Sequence, residues 1–347
     1  MGKSATRTGA KAESLPPCSG FEEKAVRLKA IGELRAALRE WYAQHKRELP
    51  WRQNTDAYRV WVSEIMLQQT RVAAVLEHYR IFLNAFPNIE ALASASEQRV
   101  LALWSGLGYY RRARMLHQAG RVVVSELGGM LPRDAEALRK LPGVGRYTAS
   151  AIASIAYGES TAVVDGNVER VLSRLDGEPR DNASAWRRAQ ELLDARHPGE
   201  WNQAMMELGA TVCTPRAPQC VACPVRFWCR APGAEMDRPR AARKQMEMTR
   251  ALIERAGRVY LVQRPGDAAK MAGMWELPEC DAGGAKELCV LRHSITDTDY
   301  KVRVVSGGMK ALLANRARAG RWVPIEEIER LPLTGLTRKI LRKQGLR

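Results

Sequence analysis

The sequence predicts two domains, an all-α domain over residues 26–230 and a small α+β domain over residues 249–347. Three observations support this division. Apolar residues recur at helical spacing through the first region, short runs typical of strands follow residue 248, and a polar, proline-containing stretch separates the two. The chain has 347 residues, of which 46% are hydrophobic, so each domain can bury its own core.

Helical periodicity dominates the first region. Leu34, Leu38 and Trp41 recur three to four positions apart, and the apolar residues of 60–65 follow the same rule. The preceding residues 1–25 begin with a polar, small-residue-rich stretch that holds two adjacent prolines. We therefore expect residues 1–25 to form a disordered N-terminal arm.

The second region begins after a predicted linker at residues 231–248, which contains two prolines, many charges and no aromatic residue. The runs 249–255 and 258–264 flank an Ala-Gly pair and predict a β-hairpin. The remaining predictions are a strand at 301–307 and short helices at 325–331 and 337–344.

The charge of the chain indicates a polyanionic partner. The formal net charge is +17 and the isoelectric point is about 9.9, which favours nucleic acid over a surface built only for solubility. No apolar run reaches the length of a membrane span.

Four of the seven cysteines fall within residues 213–229, spaced C-x6-C-x2-C-x5-C. Four thiolates on a short loop can hold one tetrahedral zinc ion or one four-iron cluster, and the spacing alone leaves both open. Such clustering is typical of a metal site in a reducing compartment rather than of a disulfide scaffold. The predicted ligands are Cys213, Cys220, Cys223 and Cys229.

A glycine-rich turn, LPGVG, precedes an Ala-rich helix predicted at residues 146–157. Gly143 and Gly145 leave backbone N–H groups uncovered at the N-terminus of that helix, where an anion such as a DNA phosphate can bind. An ordinary turn between two helices also favours glycine and proline, so the turn alone is moderate support.

Two carboxylates are candidates for acid–base chemistry. Glu64 has apolar neighbours at helical spacing, which should raise its pKa and suit a general acid; a buried glutamate bonded to Ser63 or Gln68 is the structural alternative. Asp165 lies in VDGN ahead of another helix, where capping that helix is a sufficient explanation.

These motifs together resemble the endonuclease III superfamily of helix-hairpin-helix base-excision DNA glycosylases, over roughly residues 30–347. The resemblance implies an all-α glycosylase domain whose cysteine loop carries a [4Fe–4S] cluster. It also implies that the hairpin at Gly143 and Gly145 grips a DNA phosphate and that Asp165 stabilises the sugar cation left by the departing base. Two carboxylates about a glycosidic bond match the general logic of glycoside hydrolysis.

Tyr147 places the chain within that superfamily. Endonuclease III-type enzymes have a lysine at this position, which forms a Schiff base with the sugar and nicks the strand. Tyrosine cannot form a Schiff base, so we expect a monofunctional glycosylase that leaves an abasic site. Tyr147 and Asn167 would position the catalytic groups.

Further motifs resemble the MutY family of adenine DNA glycosylases. ELPWR and MELGATVC match that family's spacing, and they imply that Trp51, Arg52 and Glu207 line an adenine pocket. The resemblance also places Leu67 in the pocket and makes Glu64 the acid that protonates adenine N7.

The same family inserts two residues into the duplex, and the matching positions here are Gln69 and Tyr109. Tyr109 precedes three arginines in YYRRAR, a pattern that suits a kinked, base-flipped duplex, although a core aromatic beside a solvated charged face explains it as well. The basic side chains beside Tyr109 are Arg111, Arg112 and Arg114.

The C-terminal region resembles a Nudix-like domain that recognises 8-oxoguanine. After Glu279 it lacks the clustered glutamates of a Nudix hydrolase, so we expect it to be non-catalytic. Thr296 matches a lesion-facing position, whereas Asp297 replaces a histidine of the family and puts a carboxylate near the lesion.

The resulting prediction is an adenine DNA glycosylase that binds double-stranded DNA containing adenine opposite 8-oxoguanine or guanine, acts as a monomer and carries one [4Fe–4S] cluster. For a bacterial protein of this kind we expect a cytoplasmic, nucleoid-associated location. The alternatives are an endonuclease III-like glycosylase and lyase for oxidised pyrimidines, or a non-catalytic DNA-binding module with structural zinc.

Overall fold

The computed structural model describes residues 21–234, 242–281, 285–307 and 320–346. The described chain divides into two compact units, each built from two stretches of sequence. Unit 1 contains residues 1–64 and 131–239, and unit 2 contains residues 65–130 and 240–347. No helix in the described ranges is long and apolar enough to cross a membrane.

Residues 21–234 contain helices and no strand, in agreement with the periodicity of the sequence. The α-helices of unit 1 are α1 (Phe21–His45), α2 (Ala57–Leu67, which runs three residues into unit 2), α7 (Ala135–Leu138), α8 (Arg146–Tyr157), α9 (Gly166–Asp176), α10 (Asn182–Leu192) and α11 (Pro198–Thr211). Its 3-10 turns are Pro50–Arg52, Cys220–Ala222 and Arg226–Trp228. Helix α8 has the bounds that the sequence predicts.

The core of unit 1 gathers apolar side chains from α1, α9, α10 and α11. Leu34 and Leu38 on α1 are almost fully buried there, together with Leu172 and Leu208. The cysteine loop packs against the same core through Cys213, Cys223 and Cys229, so the predicted metal site rests on this core.

Unit 2 combines four helices with the strands of the C-terminal region. The helices that precede the strands are α3 (Val72–Ala85), α4 (Ile89–Ser94), α5 (Glu97–Trp104) and α6 (Arg111–Glu126). The strands are β1 (Lys244–Leu252), β2 (Glu254–Arg255), β3 (Arg258–Gln263), β4 (Trp275–Glu276), β5 (Glu287–Ile295), β6 (Thr298–Ser306) and β7 (Gly320–Pro324). A 3-10 helix (Ile325–Arg330) and α12 (Gly335–Lys343) follow them.

The strands form two sheets. Strand β6 is central in a three-stranded sheet, where it pairs parallel with β1 and antiparallel with β5. In the second sheet β3 pairs antiparallel with β2, β4 and β7. The predicted hairpin is present between β2 and β3, where Ala256 and Gly257 both have positive φ, as a tight hairpin turn requires.

The structure corrects two predicted boundaries. Helix α1 begins at Phe21, inside the predicted arm, while residues 1–20 lie outside the described residues. Strand β1 begins at Lys244, inside the predicted linker, of which residues 235–241 are not described. The first half of β1 is exposed, so its polar residues carry no alternating apolar signal.

Candidate active site

Glu64 lies on a helix that is buried on almost every side. Val60, Trp61, Ile65 and Met66 of α2 are nearly inaccessible to solvent, and Glu64 itself is only 6% exposed. Because no side of α2 is open to solvent, its sequence lacks the polar stripe that is typical of a surface helix. Such a helix holds the carboxyl in a fixed, weakly solvated position.

The hydroxyl of Tyr147 donates a hydrogen bond to Glu64 Oε2 at 2.6 Å and lies 3.4 Å from the sulfur of Met206. Burial raises the pKa of Glu64 to about 7; the bond from Tyr147 opposes this rise, while the charge of Asp165 adds to it. Sequence analysis suggested Ser63 as a partner, but the Ser63 hydroxyl donates to the Val60 carbonyl.

Asp165 caps helix α9, as one of the two sequence interpretations required. Its Oδ1 accepts the Val168 N–H at 2.7 Å, and its Oδ2 accepts the side-chain amide of Asn167 at 3.0 Å. Burial raises the pKa of Asp165, and these hydrogen bonds oppose the rise. Asp165 also raises the pKa values of Glu64 and Tyr147, so the three groups interact electrostatically.

A close helix crossing fixes Asn167. A Cβ on Gly209 of α11 would lie 2.6 Å from the Asn167 Cβ, closer than two such atoms can approach. Arg170 braces the crossing, because its guanidinium donates to Asn167 Oδ1, to the Gly209 carbonyl and to the Cys213 carbonyl. No local pattern indicates Gly209 or Arg170, since the close approach of Gly209 to Asn167 and the bonds from Arg170 to the carbonyls of Gly209 and Cys213 join distant parts of the chain.

Glu207 is fully buried, and two arginines share its carboxylate. Arg47 donates to both carboxylate oxygens at 2.7 Å, and Arg52 donates to Oε2 at 2.8 Å. Burial alone would raise the pKa of Glu207, but the hydrogen bonds from Arg47 and Arg52 outweigh it and hold the pKa at about 2. Trp51, next to Arg52, is also buried. Arg47 was missed, although it stands five residues before Arg52.

The glycine turn has the geometry that an anion site needs. Gly143 has φ +74°, a conformation that residues with a side chain rarely adopt, and a Cβ on Gly145 would meet no atom within 4 Å. Gly145 is the N-terminal cap residue of α8 and makes no side-chain capping hydrogen bond to the first turn of that helix. Tyr147 is the second residue of that helix, so the turn also positions the partner of Glu64.

The four predicted metal ligands surround one cavity, together with the nearly buried Arg174. Burial is the main reason that the pKa of Cys223 rises to about 11, and the other three thiols raise it further. Arg174 donates to the sulfur of Cys213 at 3.3 Å. Over the described residues, no three Cys, His, Asp or Glu side chains are arranged to hold a single metal ion.

Unit 2 contains the remaining candidates. Leu67 is half-buried at the end of α2, whereas Gln69 is exposed in the turn that follows. Tyr109 is 44% exposed, and Thr296 is exposed in the two-residue turn between β5 and β6. Gln69, Tyr109 and Thr296 have φ of +56°, +48° and +52°, a left-handed conformation that is costly for residues other than glycine.

Two of the three arginines that follow Tyr109 have internal partners. Arg112 donates to six acceptors, namely the carbonyls of Ile65, Met66, Gln68, Leu107 and Gly108 and the hydroxyl of Thr70. Burial lowers the pKa of the Arg112 guanidinium to about 10. Arg114 donates to Glu97 and to the carbonyl of Ala272. Of these three arginines Arg111 is exposed, whereas Arg112 and Arg114 are partly buried.

Part of this chain is similar to known DNA repair proteins. Residues 62–194 match the family model of the HhH-GPD superfamily base excision DNA repair proteins. The human adenine DNA glycosylase is 53% identical over 216 residues, which cover 58% of this chain and 40% of the human protein. The adenine DNA glycosylase of Arabidopsis thaliana is 38% identical over 315 residues, covering 76% of this chain and 50% of the plant protein.

The matched parts are thus half or less of the length of these two curated relatives. Among solved structures, a thermostable thymine-DNA glycosylase superposes with a TM-score of 0.55 at 28% identity, covering 58% of this chain and 96% of that one. Residues 62–194 of this chain are therefore similar to the HhH-GPD superfamily of base excision DNA repair proteins, and the curated relatives that the chain resembles are named adenine DNA glycosylases.

Proposed function

We propose that this protein is a monofunctional adenine DNA glycosylase, which hydrolyses the N-glycosidic bond of adenine paired with 8-oxoguanine or guanine. The observation that carries the proposal is the buried pair of Glu64 and Tyr147, joined at 2.6 Å and close enough to Asp165 to feel its charge. Hydrolysis without a Schiff base uses an acid and a second carboxylate. The tyrosine stands where a Schiff-base enzyme carries an amine.

Glu64 is the proposed general acid. A carboxyl group whose pKa is about 7 retains its proton in part of the population near neutral pH and can deliver it in the same range. The proton goes to N7 of an adenine that has left the base stack, which turns the base into a better leaving group. Tyr147 fixes the orientation of the acid through its hydrogen bond.

Asp165 is the proposed stabiliser of the sugar cation, because cleavage of the bond from C1′ to N9 leaves positive charge on the sugar. The N–H of Val168 and the amide of Asn167 hold its two oxygens in place and favour the carboxylate form. A carboxylate held in this way stabilises the cationic sugar until water adds to C1′. The product is an intact strand with an abasic site, because Tyr147 cannot form a Schiff base.

Glu207 completes the proposed pocket. With its pKa at about 2, the carboxylate is ionised at every working pH and accepts from Arg47 and Arg52. Its oxygens are hydrogen-bond acceptors within a buried site, which suits recognition of the amino group of adenine. We also assign Trp51 and Leu67 to the lining of this pocket, on the resemblance to the family.

The cysteine loop fits a [4Fe–4S] cluster. Four thiols around one cavity supply the ligands, and Cys213, Cys220, Cys223 and Cys229 would hold the group. The cluster would stabilise the loop and contribute no step of base removal.

Double-stranded DNA is the proposed partner. The net charge of +17 and the uncovered N–H groups of the glycine turn support binding to phosphates. Gln69 and Tyr109 would enter the duplex, and residues 249–347 would act as a non-catalytic, Nudix-like recognition domain whose Thr296 approaches 8-oxoguanine. We propose that the protein acts as a monomer.

Single-turnover excision assays test this function. Duplexes with adenine opposite 8-oxoguanine, guanine or thymine are treated with the protein, and each product is analysed with and without hot alkali. Strand cleavage that needs alkali, and that is confined to the first two pairs, supports the proposal. Cleavage without alkali indicates a lyase and contradicts the role given to Tyr147.

The Glu64→Gln variant tests the acid assignment. Glutamine has the same shape but carries no acidic proton, so excision should be lost while binding to the mispaired duplex survives. Full excision by Glu64→Gln would reject Glu64 as the acid. Absence of excision by the unmodified protein, with binding intact, would favour a non-catalytic DNA-binding module.

A further inference from the structure

The loop that carries Tyr109 is tied to the C-terminal region by buried hydrogen bonds. Both the Ser105 hydroxyl and the Tyr110 hydroxyl donate to one acceptor, the carbonyl of Leu333, at 2.7 and 3.1 Å. Ser105 is 2% exposed and Tyr110 is 4% exposed, so water does not compete for these bonds. We call residues 105–110 the wedge loop.

Helix α12 begins beside that carbonyl and adds a third bond. Thr334 caps the helix, and Arg338, one turn later, donates to the Ser105 hydroxyl at 3.1 Å. The Ser105 hydroxyl thus accepts a hydrogen bond from Arg338 of α12 and donates one to the carbonyl of Leu333, the residue before the helix cap. The wedge loop is fixed to the N-terminal end of α12 on two sides.

Helix α12 also contacts strand β5. Lys339 donates to the carbonyl of Arg292 at 2.8 Å, and Lys343 donates to the carbonyl of Val290 at 3.3 Å. Leu336 and Ile340 are buried in the core that also contains Leu291 of β5. Helix α12 therefore connects the wedge loop to β5 through both polar bonds and core packing.

Strand β5 ends at the turn that carries Thr296. We call residues 295–298 the recognition turn. It is short, and both its ends pair in the β5–β6 ladder, where Ile295 lies opposite Thr298. Lys270 contacts it as well, since the Lys270 ammonium lies 3.4 Å from the Thr296 hydroxyl. The position of the turn is therefore set by β5 and its neighbours.

We propose that α12 is a mount that fixes the wedge loop and the recognition turn relative to each other, with Ser105, Tyr110 and Arg338 as positioning residues. This inference rests on the proposed function, in which Tyr109 enters the duplex and Thr296 approaches the base opposite adenine. Fixing both elements on one helix ties insertion of Tyr109 to the identity of that base. Discrimination between 8-oxoguanine and guanine then depends on bonds that touch no DNA.

Hydrogen–deuterium exchange on the free, full-length protein tests whether α12 couples the two segments, and this test needs no measurement of excision. The Tyr110→Phe variant loses one bond to the Leu333 carbonyl, so amide exchange should rise roughly three- to ten-fold in the wedge loop and also in the recognition turn. The matched control is Tyr157→Phe, which removes a tyrosine hydroxyl that donates to the carbonyl of Leu131 at 3.2 Å. The Tyr157→Phe control should leave amide exchange unchanged in both the wedge loop and the recognition turn. A rise confined to the wedge loop would overturn the proposal.

Excision kinetics test the consequence. Ser105→Ala and Tyr110→Phe should each reduce the preference for 8-oxoguanine over guanine opposite adenine by roughly five-fold or more, while excision opposite guanine stays near the unmodified rate. Combining Tyr110→Phe with Thr296→Ala should reduce the preference no further than the more damaging of the two single changes.

The outcomes separate the mount from the proposed function. Equal losses on both mispairs, or independent effects in the double variant, would show that these residues only stabilise the fold and would overturn the mount. Failure of the unmodified protein to excise adenine would reject the proposed function, and the exchange experiment would still decide whether α12 couples the two segments.

Discussion

Replacing Glu64 by glutamine should make the fold more stable at about pH 8 while changing its stability little near pH 5. The pKa of Glu64 rises from 4.5 to about 7 on folding because burial disfavours the charge. A pKa change of this size corresponds to about 3 kcal/mol in the free energy of unfolding. A raised folded pKa gives stability that is present below pH 4.5 and is lost as the pH rises through about 7.

Glutamine does not titrate, so the variant escapes this loss. The difference in the free energy of unfolding between Glu64→Gln and the unmodified protein should grow by about 3 kcal/mol between these two pH values. Urea denaturation of both proteins at both pH values measures it, and titrating groups that do not interact with Glu64 cancel in the difference. Parallel pH dependences for the two proteins would refute the conclusion that burial raises the pKa of Glu64.

Three further changes test other parts of the site. Tyr147→Phe removes the hydrogen bond that lowers the pKa of Glu64, so the pH at which excision declines should move upward in single-turnover profiles. Arg112→Met leaves six acceptors without their donor and should lower the free energy of unfolding by roughly 3 kcal/mol or more, measured by urea denaturation. Gly209→Ala forces a Cβ against Asn167 and should slow excision at least about ten-fold in the same single-turnover assay.

Matched controls exist for the last two changes. Arg111→Met replaces an exposed neighbour of Arg112 and should change stability by less than about 0.5 kcal/mol. Gly32→Ala adds a methyl group where no atom lies within 4 Å inside helix α1 and should stabilise by about 1 kcal/mol. Equal effects of the two arginine changes, or a Gly209→Ala variant with normal excision, would contradict the packing described above. An unshifted pH profile for Tyr147→Phe would contradict its link to Glu64.

Local patterns predicted the features that depend on nearby residues. The cap at Asp165, the bounds of α8 and the burial of Glu64 follow from residues within one or two helical turns. The strand at 301–307 and the helix at 337–344 also agree with the structure, because each shows its period in the sequence.

Contacts between distant segments were beyond such patterns. Tyr147 lies 83 residues from Glu64, and Arg47 lies 160 residues from Glu207, so no spacing rule connects them. Arg112 lies in a basic run after Tyr109, and no local pattern indicates that its guanidinium donates to backbone carbonyls where a carboxylate is the usual partner. Strand β5 was missed because it is half exposed and has a bulge, which weakens the alternation.

The left-handed residues described above trade some protein stability for side chains that are proposed to contact DNA. Among the described residues, five besides glycine have positive φ, and three of these are Gln69, Tyr109 and Thr296. Glycine at each position would relieve backbone strain of roughly 1 kcal/mol but would remove the side chain that is proposed to meet the DNA. A library selected only for heat resistance should therefore accumulate glycine or asparagine at these positions. The same library selected for repair of oxidised DNA should retain the costly residues, so the difference between the two selections would map the lesion-contacting surface without a structure of the complex.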